Sequence, residues 1–255
     1  SYRKRGQSAS LLIEHLAGLT FEQILLNEQQ ALLDEAFGQL TGTLRSIWKE
    51  TRNKDTVPAR HMDQLSKRLD EVYAIHPEFR DGELAVCGHA IPSFQRLVKK
   101  AKTYEGKLKT PFSVYIHGDF NVDNIIYDPM EKRINFIDLH RSRYMDYVQD
   151  VSVFMVSNYR LRILDVQTRE RILSLARKFH RFAARFAKKA GDDTFEVRLA
   201  LGLARSFATS TRFILDEAMA QAMFLRARYL IERVLETDPS HASKFHLPME
   251  DIFID

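Results

Sequence analysis

Three short β-favouring segments interrupt a sequence whose apolar residues otherwise recur at helical spacing. The segments are "FSVYI", "NIIY" and "INFI", and "DPMEKR" separates the last two as a hairpin turn would. We also predict a short buried strand over residues 10–16 and a capping box that begins a helix at Thr20. Residues 74–92 lack a clear period and are predicted to be loop. Helical patterns run over about residues 27–51, 62–72, 93–104, 143–158, 167–190, 194–215 and 217–236. The prediction is a mostly helical α+β fold with a small β-hairpin insert.

The amino-acid composition indicates the class of protein and the cellular compartment to expect. Of its 255 residues, 45% are hydrophobic, which is ample for a sizeable core. We expect no membrane span, because no apolar run approaches the roughly 20 residues that a spanning helix needs. The lone cysteine, Cys87, excludes an internal disulfide and is typical of a reducing cytosol. The sequence therefore predicts a cytoplasmic protein.

The residues between the predicted strands include groups that ionise or bind metals. His117, Asp119 and Asn124 form an H-x-D-x-x-x-x-N pattern, and Asp138 stands after the strand "INFI". Asn and Asp oxygens are hard ligands of the kind that Mg²⁺ takes. A further carboxylate can accept a proton from a hydroxyl group. Together these are the parts that phosphoryl transfer requires. The neighbouring Asn121 and Asp123 are typical turn formers.

The motif resembles a known family. "HGDFNVDN" followed by "FIDLHRSRYMDYVQDVSVF" is similar to the aminoglycoside phosphotransferase and choline kinase family, which shares the two-lobed kinase-like fold. The resemblance implies ATP as co-substrate and Mg²⁺ as cofactor. It implies Asp119 as the catalytic base, with Asn124 and Asp138 as Mg²⁺ ligands.

The same resemblance implies supporting roles for three further residues. His117 and Asp150 would brace the catalytic loop. Asp146 matches the family's second signature, and the alternative is that it is no more than an acid at the start of a helix. Gly118 replaces the Arg that protein kinases carry between His and Asp, and "DLH" replaces D-F-G. Both departures favour the small-molecule kinase branch.

The chain looks like a large lobe with its hinge. We assign residues 1–18 to a remnant of the small N-terminal lobe and its nucleotide-binding hinge, formed by Glu14, His15 and Leu16. Residues 19–255 are assigned to a helical, kinase-like C-terminal lobe with a catalytic loop at 115–127 and a metal-binding segment at 134–150. No G-x-G-x-x-G loop or V-A-I-K-like strand occurs in the sequence. We expect a fragment of a longer kinase, and the alternative is a natural protein with a large lobe only.

Charge guides the expected substrate. Residues 159–233 carry sixteen Lys and Arg against eight Asp and Glu, which argues against a polycationic aminoglycoside. We expect a hydroxylated metabolite or sugar, neutral or anionic. Arg205, Arg212 and Phe213 are pocket candidates, although helix surface and core explain them more simply. The alternative function is a non-catalytic, pseudokinase-type lobe that serves as a binding or scaffold module. Nucleic acid is not favoured because no aromatic platform accompanies the basic helices. The sequence leaves the substrate-binding residues and the oligomeric state open.

Overall fold

A computed structural model describes residues 2–6, 8–11, 15–80, 82, 84–163 and 165–254. The α-helices are α1 Phe21–Asn27, α2 Gln30–Glu50, α3 His61–Ser66, α4 Leu69–Ile75, α5 Phe94–Glu105, α6 Val148–Tyr159, α7 Val166–Ala190, α8 Phe195–Ser210, α9 Glu217–Leu235 and α10 Met249–Ile252. The strands are β1 Tyr2–Arg5, β2 Ser8–Leu11, β3 Leu19–Thr20, β4 Leu84–Val86, β5 His89–Ile91, β6 Val114–Ile116, β7 Ile125–Asp128, β8 Arg133–Phe136 and β9 Arg143–Met145. The fold is therefore a mostly helical α+β fold with small sheets. No helix in the described ranges has the length and apolar character needed to cross a membrane.

Two small antiparallel sheets carry residues 114–145, which include His117, Asp119, Asn124 and Asp138. Strands β7 and β8 form the hairpin expected around "DPMEKR", and β3 joins its other side to make a three-stranded sheet. Strand β6 pairs instead with β9. The approach of β3 to β7 requires Gly18, whose φ is +116° and whose added Cβ would lie 2.3 Å from the carbonyl oxygen of Tyr127.

Helix α6 lies at the centre of the helical body and packs against α7 and α8. Its residues are buried on nearly every face, including the polar Asp150, Ser152, Ser157 and Asn158. A helix that is buried all round shows little amphipathic period, because no face of it meets water. Its polar side chains must therefore find partners inside the protein.

Several sequence-based boundaries are corrected. The expected loop over 74–92 contains the β4–β5 hairpin and a 3₁₀ turn at Pro77–Phe79. The helix expected from residue 143 begins only at Val148, because 143–145 pair with β6 as β9. The expected 62–72 helix is split into α3 and α4, and α8 ends at Ser210 before a 3₁₀ turn. These differences arise where strand pairing or helix ends depend on partners distant in sequence.

The N-terminal predictions meet the structure only in part. Thr20 caps α1 in a capping box with Gln23, as the sequence predicts. Of the strand expected over 10–16, residues 10 and 11 lie in β2, residues 15 and 16 have no regular structure, and residues 12–14 lie outside the described ranges.

Candidate active site

The loop after β6 is held from beneath by Asp150 of α6. The Asp150 carboxylate accepts the backbone N–H of His117 at 2.7 Å and that of Gly118 at 2.9 Å. Asp150 is only 1% exposed. Burial raises the pKa of this carboxyl to about 7, against the opposing effect of the two N–H donors. One buried side chain thus fixes the backbone direction of two consecutive loop residues.

The imidazole of His117 joins this loop to the segment that carries Asp138. Its Nδ1 accepts the backbone N–H of Asp119 at 3.3 Å, so its Nε2 carries the proton and donates to the carbonyl oxygen of Ile137 at 2.9 Å. Burial lowers the pKa of His117, which favours the neutral ring that this pairing needs. The ring therefore sets the spacing between two polypeptide segments.

Gly118 is required by a close contact between backbones. Its φ is +85°, and a Cβ added to it would lie 2.4 Å from the carbonyl oxygen of Arg141. Any larger residue would push the Arg141 segment away or distort the loop. The structure thus provides a local reason for a glycine at position 118.

The Asp119 carboxylate, 21% exposed, has two side-chain partners. Its Oδ1 accepts from Nδ2 of Asn121 at 2.9 Å, and its Oδ2 lies 3.1 Å from Nη1 of Arg141. Sequence reasoning missed Arg141, because no basic residue lies close to Asp119 along the chain. The basic run "HRSR" after Asp138 was the available signal. Asn121, which was assigned to the turn alone, also orients the carboxylate.

Asn124 and Asp138 come together through the β7–β8 hairpin. The register pairs Ile125 with Phe136, and the Asn124 carbonyl accepts the backbone N–H of Ile137 at 3.1 Å. Nδ2 of Asn124 donates to the carbonyl oxygen of Asp119 at 2.9 Å, which leaves its amide oxygen as the atom available to a ligand.

Asp138 adopts an unusual backbone conformation. Its φ and ψ are 60° and 50°, in the left-handed region that few residues other than glycine adopt. Its half-exposed carboxylate lies 2.6 Å from Nδ1 of His140 through Oδ1. His140 is 59% exposed and also accepts a hydrogen bond from Nε of Arg141. Asp and Asn adopt this region more readily than other non-glycine residues do, so the conformation is compatible with the aspartate at this position.

The donor set of Asn124 and Asp138 fits Mg²⁺. One amide oxygen and one carboxylate are hard oxygen donors, and Mg²⁺ commonly takes one or two such protein ligands with waters and substrate phosphates. Within the described ranges, no cluster of three or more His, Cys, Asp or Glu side chains is placed to hold a metal. The side chains of Asn124 and Asp138 thus offer oxygen donors of the kind that such an ion takes.

The side chain of Asp146 contacts Arg198 and the start of α6 rather than the loop after β6. It is fully buried, forms an ion pair with Arg198, and accepts the backbone N–H of Val148 at 3.1 Å. Arg198 also pairs with Asp192. The contacts of Asp146 thus anchor the start of α6 to α8, and any support of the catalytic loop is indirect, through the helix that carries Asp150.

The predicted hinge is described only in part. His15 is exposed and Leu16 is half-buried, whereas Glu14 lies outside the described ranges. Beyond Asp119, on the side of α6 and α8, lies a cavity of about 890 Å³. It is lined by Arg205, Arg212 and Phe213, for which sequence reasoning had preferred a surface or core role.

The sequence model of a protein family described as "Phosphotransferase enzyme family" matches residues 3–186 of this chain. Because this range covers more than half of the chain, the protein belongs to that family. The resemblance to aminoglycoside phosphotransferases and choline kinases is thereby confirmed. A search among curated proteins found no significant match.

Solved structures of small-molecule kinases are similar to this chain. Two of them are structures of glucosamine kinase: one is crystal form B, and the other is a complex with glucosamine, ADP and inorganic phosphate. Each is 17% identical to this chain, and the TM-scores are 0.45 and 0.44. They match 85% and 88% of this chain and 56% and 60% of their own. A Plasmodium vivax ethanolamine kinase is 12% identical, with a TM-score of 0.38, over 92% of this chain and 66% of its own. The chain thus spans between 56% and 66% of the length of these structures.

Proposed function

We propose that the protein is an ATP- and Mg²⁺-dependent phosphotransferase that acts on a hydroxyl group of a small molecule. The single observation that carries this proposal is the placement of Asp119 on a braced loop. Asp150 and His117 hold that loop against the hairpin that bears Asn124 and Asp138. Such rigidity is what positioning and electrostatic stabilisation of a phosphoryl group require.

In the proposed reaction, Asp119 accepts the proton of the acceptor hydroxyl. The hydroxyl oxygen forms a bond to the γ-phosphorus of ATP while the bond from that phosphorus to the bridging oxygen breaks, and ADP leaves. The Asn121 amide holds Oδ1 of Asp119, so Oδ2 is the oxygen that would receive the proton. Arg141, 3.1 Å from Oδ2, has to shift toward solvent or phosphate for this.

Asn124 and Asp138 would hold Mg²⁺, which when bound neutralises charge on the phosphates of ATP. The His140 contact keeps the Asp138 carboxylate oriented, with one oxygen engaged and the other available. The His117 bond to the carbonyl of Ile137 fixes the residue immediately before Asp138. Through these bonds the chain sets the base and both metal ligands relative to one another.

A non-catalytic binding module is the second candidate. The observation that favours it is that both carboxylates are engaged by groups of the same chain, Asp119 by Arg141 and Asp138 by His140. Such pairing would suit a lobe that binds nucleotide without transferring phosphate.

The two candidates are separated by measuring ADP release with ATP, Mg²⁺ and a panel of sugars, polyols, their phosphates and aminoglycosides. We expect acceptor-dependent release that falls by at least about a hundredfold in Asp119→Asn, because that is the scale of general-base catalysis. Asp123→Asn, in the exposed turn of the same loop, is the control and should retain activity. Nucleotide binding without any release by the wild type would support the binding module. Release with aminoglycosides alone would contradict the expected acceptor.

A further inference from the structure

The cavity beside Asp119 is lined with positive charge. Asp119 is the one acidic residue among the described residues that line it. The arginines that line it come from four stretches of the chain: Arg68, Arg141, Arg143, Arg160, Arg162, Arg205 and Arg212. A concentration of one sign of charge in a concave site strengthens the field there and attracts ions of the opposite sign.

Internal ion pairs neutralise only part of this charge. Arg162 pairs with Asp216, Arg212 with Glu71, and Arg141 with Asp119. The other four arginines have no carboxylate partner within the described part of the chain: Arg68, Arg143, Arg160 and Arg205. In the described part of the chain, these four guanidinium groups therefore have no carboxylate at ion-pair distance, and an anionic ligand could pair with them.

Arg205 is the buried member of these four arginines. Its side chain belongs to a residue only 5% exposed, its Nη2 donates to the hydroxyl of Ser152 at 3.1 Å, and its buried Nε has no hydrogen-bond partner. Burial, followed by the nearby charge of Arg68, lowers the pKa of Arg205 to about 10. The charges of Asp119, Glu105 and Asp150 act on Arg205 in the opposite direction but offset only part of the effect of burial. An anion that reaches the guanidinium would relieve the remaining cost of burying it.

The charged lining lies on the acceptor side of the base. The described lining residues include Asp119 but neither Asn124 nor Asp138, the proposed Mg²⁺ ligands. The phosphates of ATP belong beside that pair. The arginines around Arg205 are therefore left for the second substrate, whose hydroxyl must reach Asp119.

We propose that the acceptor carries a phosphate group in addition to the hydroxyl that reacts, and that Arg205 and Arg68 bind this phosphate. A phosphate ester brings a charge of about −1.5 to −2 and three acceptor oxygens, which match two neighbouring guanidinium forks better than a single carboxylate does. The acceptor class is then a phosphorylated sugar or polyol. This inference rests on the proposed phosphotransferase function.

The test is a binding measurement that needs no turnover. Calorimetric titrations without nucleotide would compare glucose 6-phosphate with glucose, glycerol 3-phosphate with glycerol, and inorganic pyrophosphate alone. We expect at least one phosphorylated probe to bind about tenfold or more tightly than its neutral counterpart, with affinity falling as KCl is raised. Equal binding of both members of each pair, or no binding of any phosphorylated probe, would overturn the inference.

Substitutions of the two arginines test where the phosphate group of the probe binds. Arg205→Gln and Arg68→Gln should each weaken the phosphorylated probe by about tenfold, the loss of one charged hydrogen-bond partner. Arg181→Gln, an exposed position on α7 that removes the same charge, should change the affinity less than about twofold. Thermal melting would show whether each variant folds. If Arg205→Gln does not fold, Arg68→Gln, at a half-buried position, still tests the phosphate site.

Two further outcomes separate this site from the catalytic proposal. Binding of Mg·ADP should be unchanged by Arg205→Gln and Arg68→Gln, and an equal loss of ADP would place the arginines on the nucleotide and contradict the inference. If phosphorylated probes bind through these arginines but no ADP is released from ATP, the phosphotransferase proposal fails while the anion site stands.

Discussion

The carboxylate of Asp150 accepts the backbone N–H of His117 at 2.7 Å across 33 residues of sequence. A second bond of the same carboxylate goes to Gly118. This relationship ties the central helix α6 to the loop that presents Asp119. The orientation of the proposed base is therefore decided by the packing of α6 in the core.

Replacing Asp150 tests this connection. In Asp150→Asn the amide keeps one acceptor but presents its NH₂ to the other backbone N–H, so one loop donor loses its partner at a cost of about 1–3 kcal/mol. We expect the rate of phosphate transfer to fall at least about tenfold, measured as ADP release. Asp123→Asn should leave the rate unchanged. Wild-type rates in both variants would show that Asp150 does not position the loop.

Gly118 offers a steric test. Gly118→Ala places a Cβ 2.4 Å from the Arg141 carbonyl oxygen, at φ +85°, and should lower the free energy of unfolding by about 1–3 kcal/mol. Phosphate transfer should fall with it, because Arg141 and Asp119 are displaced together. The measurement is urea unfolding together with ADP release.

The matched control is another glycine. Gly38 is exposed within α2, and a Cβ added there meets nothing within 4 Å. Gly38→Ala should raise the free energy of unfolding by about 0.5–1 kcal/mol through helix propensity. Equal effects of the two substitutions would contradict the close contact at Gly118.

The buried ion pairs of Arg198 predict a loss of stability. Arg198 is fully buried between Asp146 and Asp192, and their charges raise its pKa against the effect of burial. Arg198→Met leaves two buried carboxylates without a cation, so we expect a loss of about 3–5 kcal/mol in urea unfolding. The triple variant that adds Asp146→Asn and Asp192→Asn should regain part of that loss. A single variant as stable as the wild type would refute the pairing.

Glu105 predicts a pH dependence of stability. It accepts the backbone N–H groups of His61 at 2.8 Å and Met62 at 3.0 Å, and burial raises the pKa of its carboxyl from 4.5 to about 7. The folded protein then holds this proton more tightly than the unfolded chain. The contribution of Glu105 to stability is therefore fully present below about pH 4.5 and is lost as the pH rises to about 7.

Unfolding free energies measured between about pH 4.5 and 8 would check this. The wild-type curve should fall with pH more steeply than that of Glu105→Gln, which has no proton to lose at this position. Glu170→Gln, at an exposed position, should follow the wild-type slope. A Glu105→Gln curve parallel to the wild type would remove Glu105 as the cause.

The local elements were largely predictable from sequence. The capping box at Thr20 and the long helix α2 depend on neighbours within a few residues, and the β7–β8 hairpin depends on a short turn. The spacing of His117, Asp119 and Asn124 with Asp138 placed the candidate site in one short stretch and indicated the family. These candidate residues lie close together in the sequence, so the sequence pattern was sufficient to single them out.

Only the tertiary structure decided the surroundings of that stretch. Strand β9 exists because β6 lies beside it, and Arg141 reaches Asp119 because the hairpin folds back over the loop. The cavity joins Arg68, Arg160 and Arg205, which lie in separate helical regions of the sequence. Periodicity shows which face of a helix is buried, but it does not show which faces meet. The sequence by itself determined the candidate reacting groups, and long-range packing decided the charge that surrounds them.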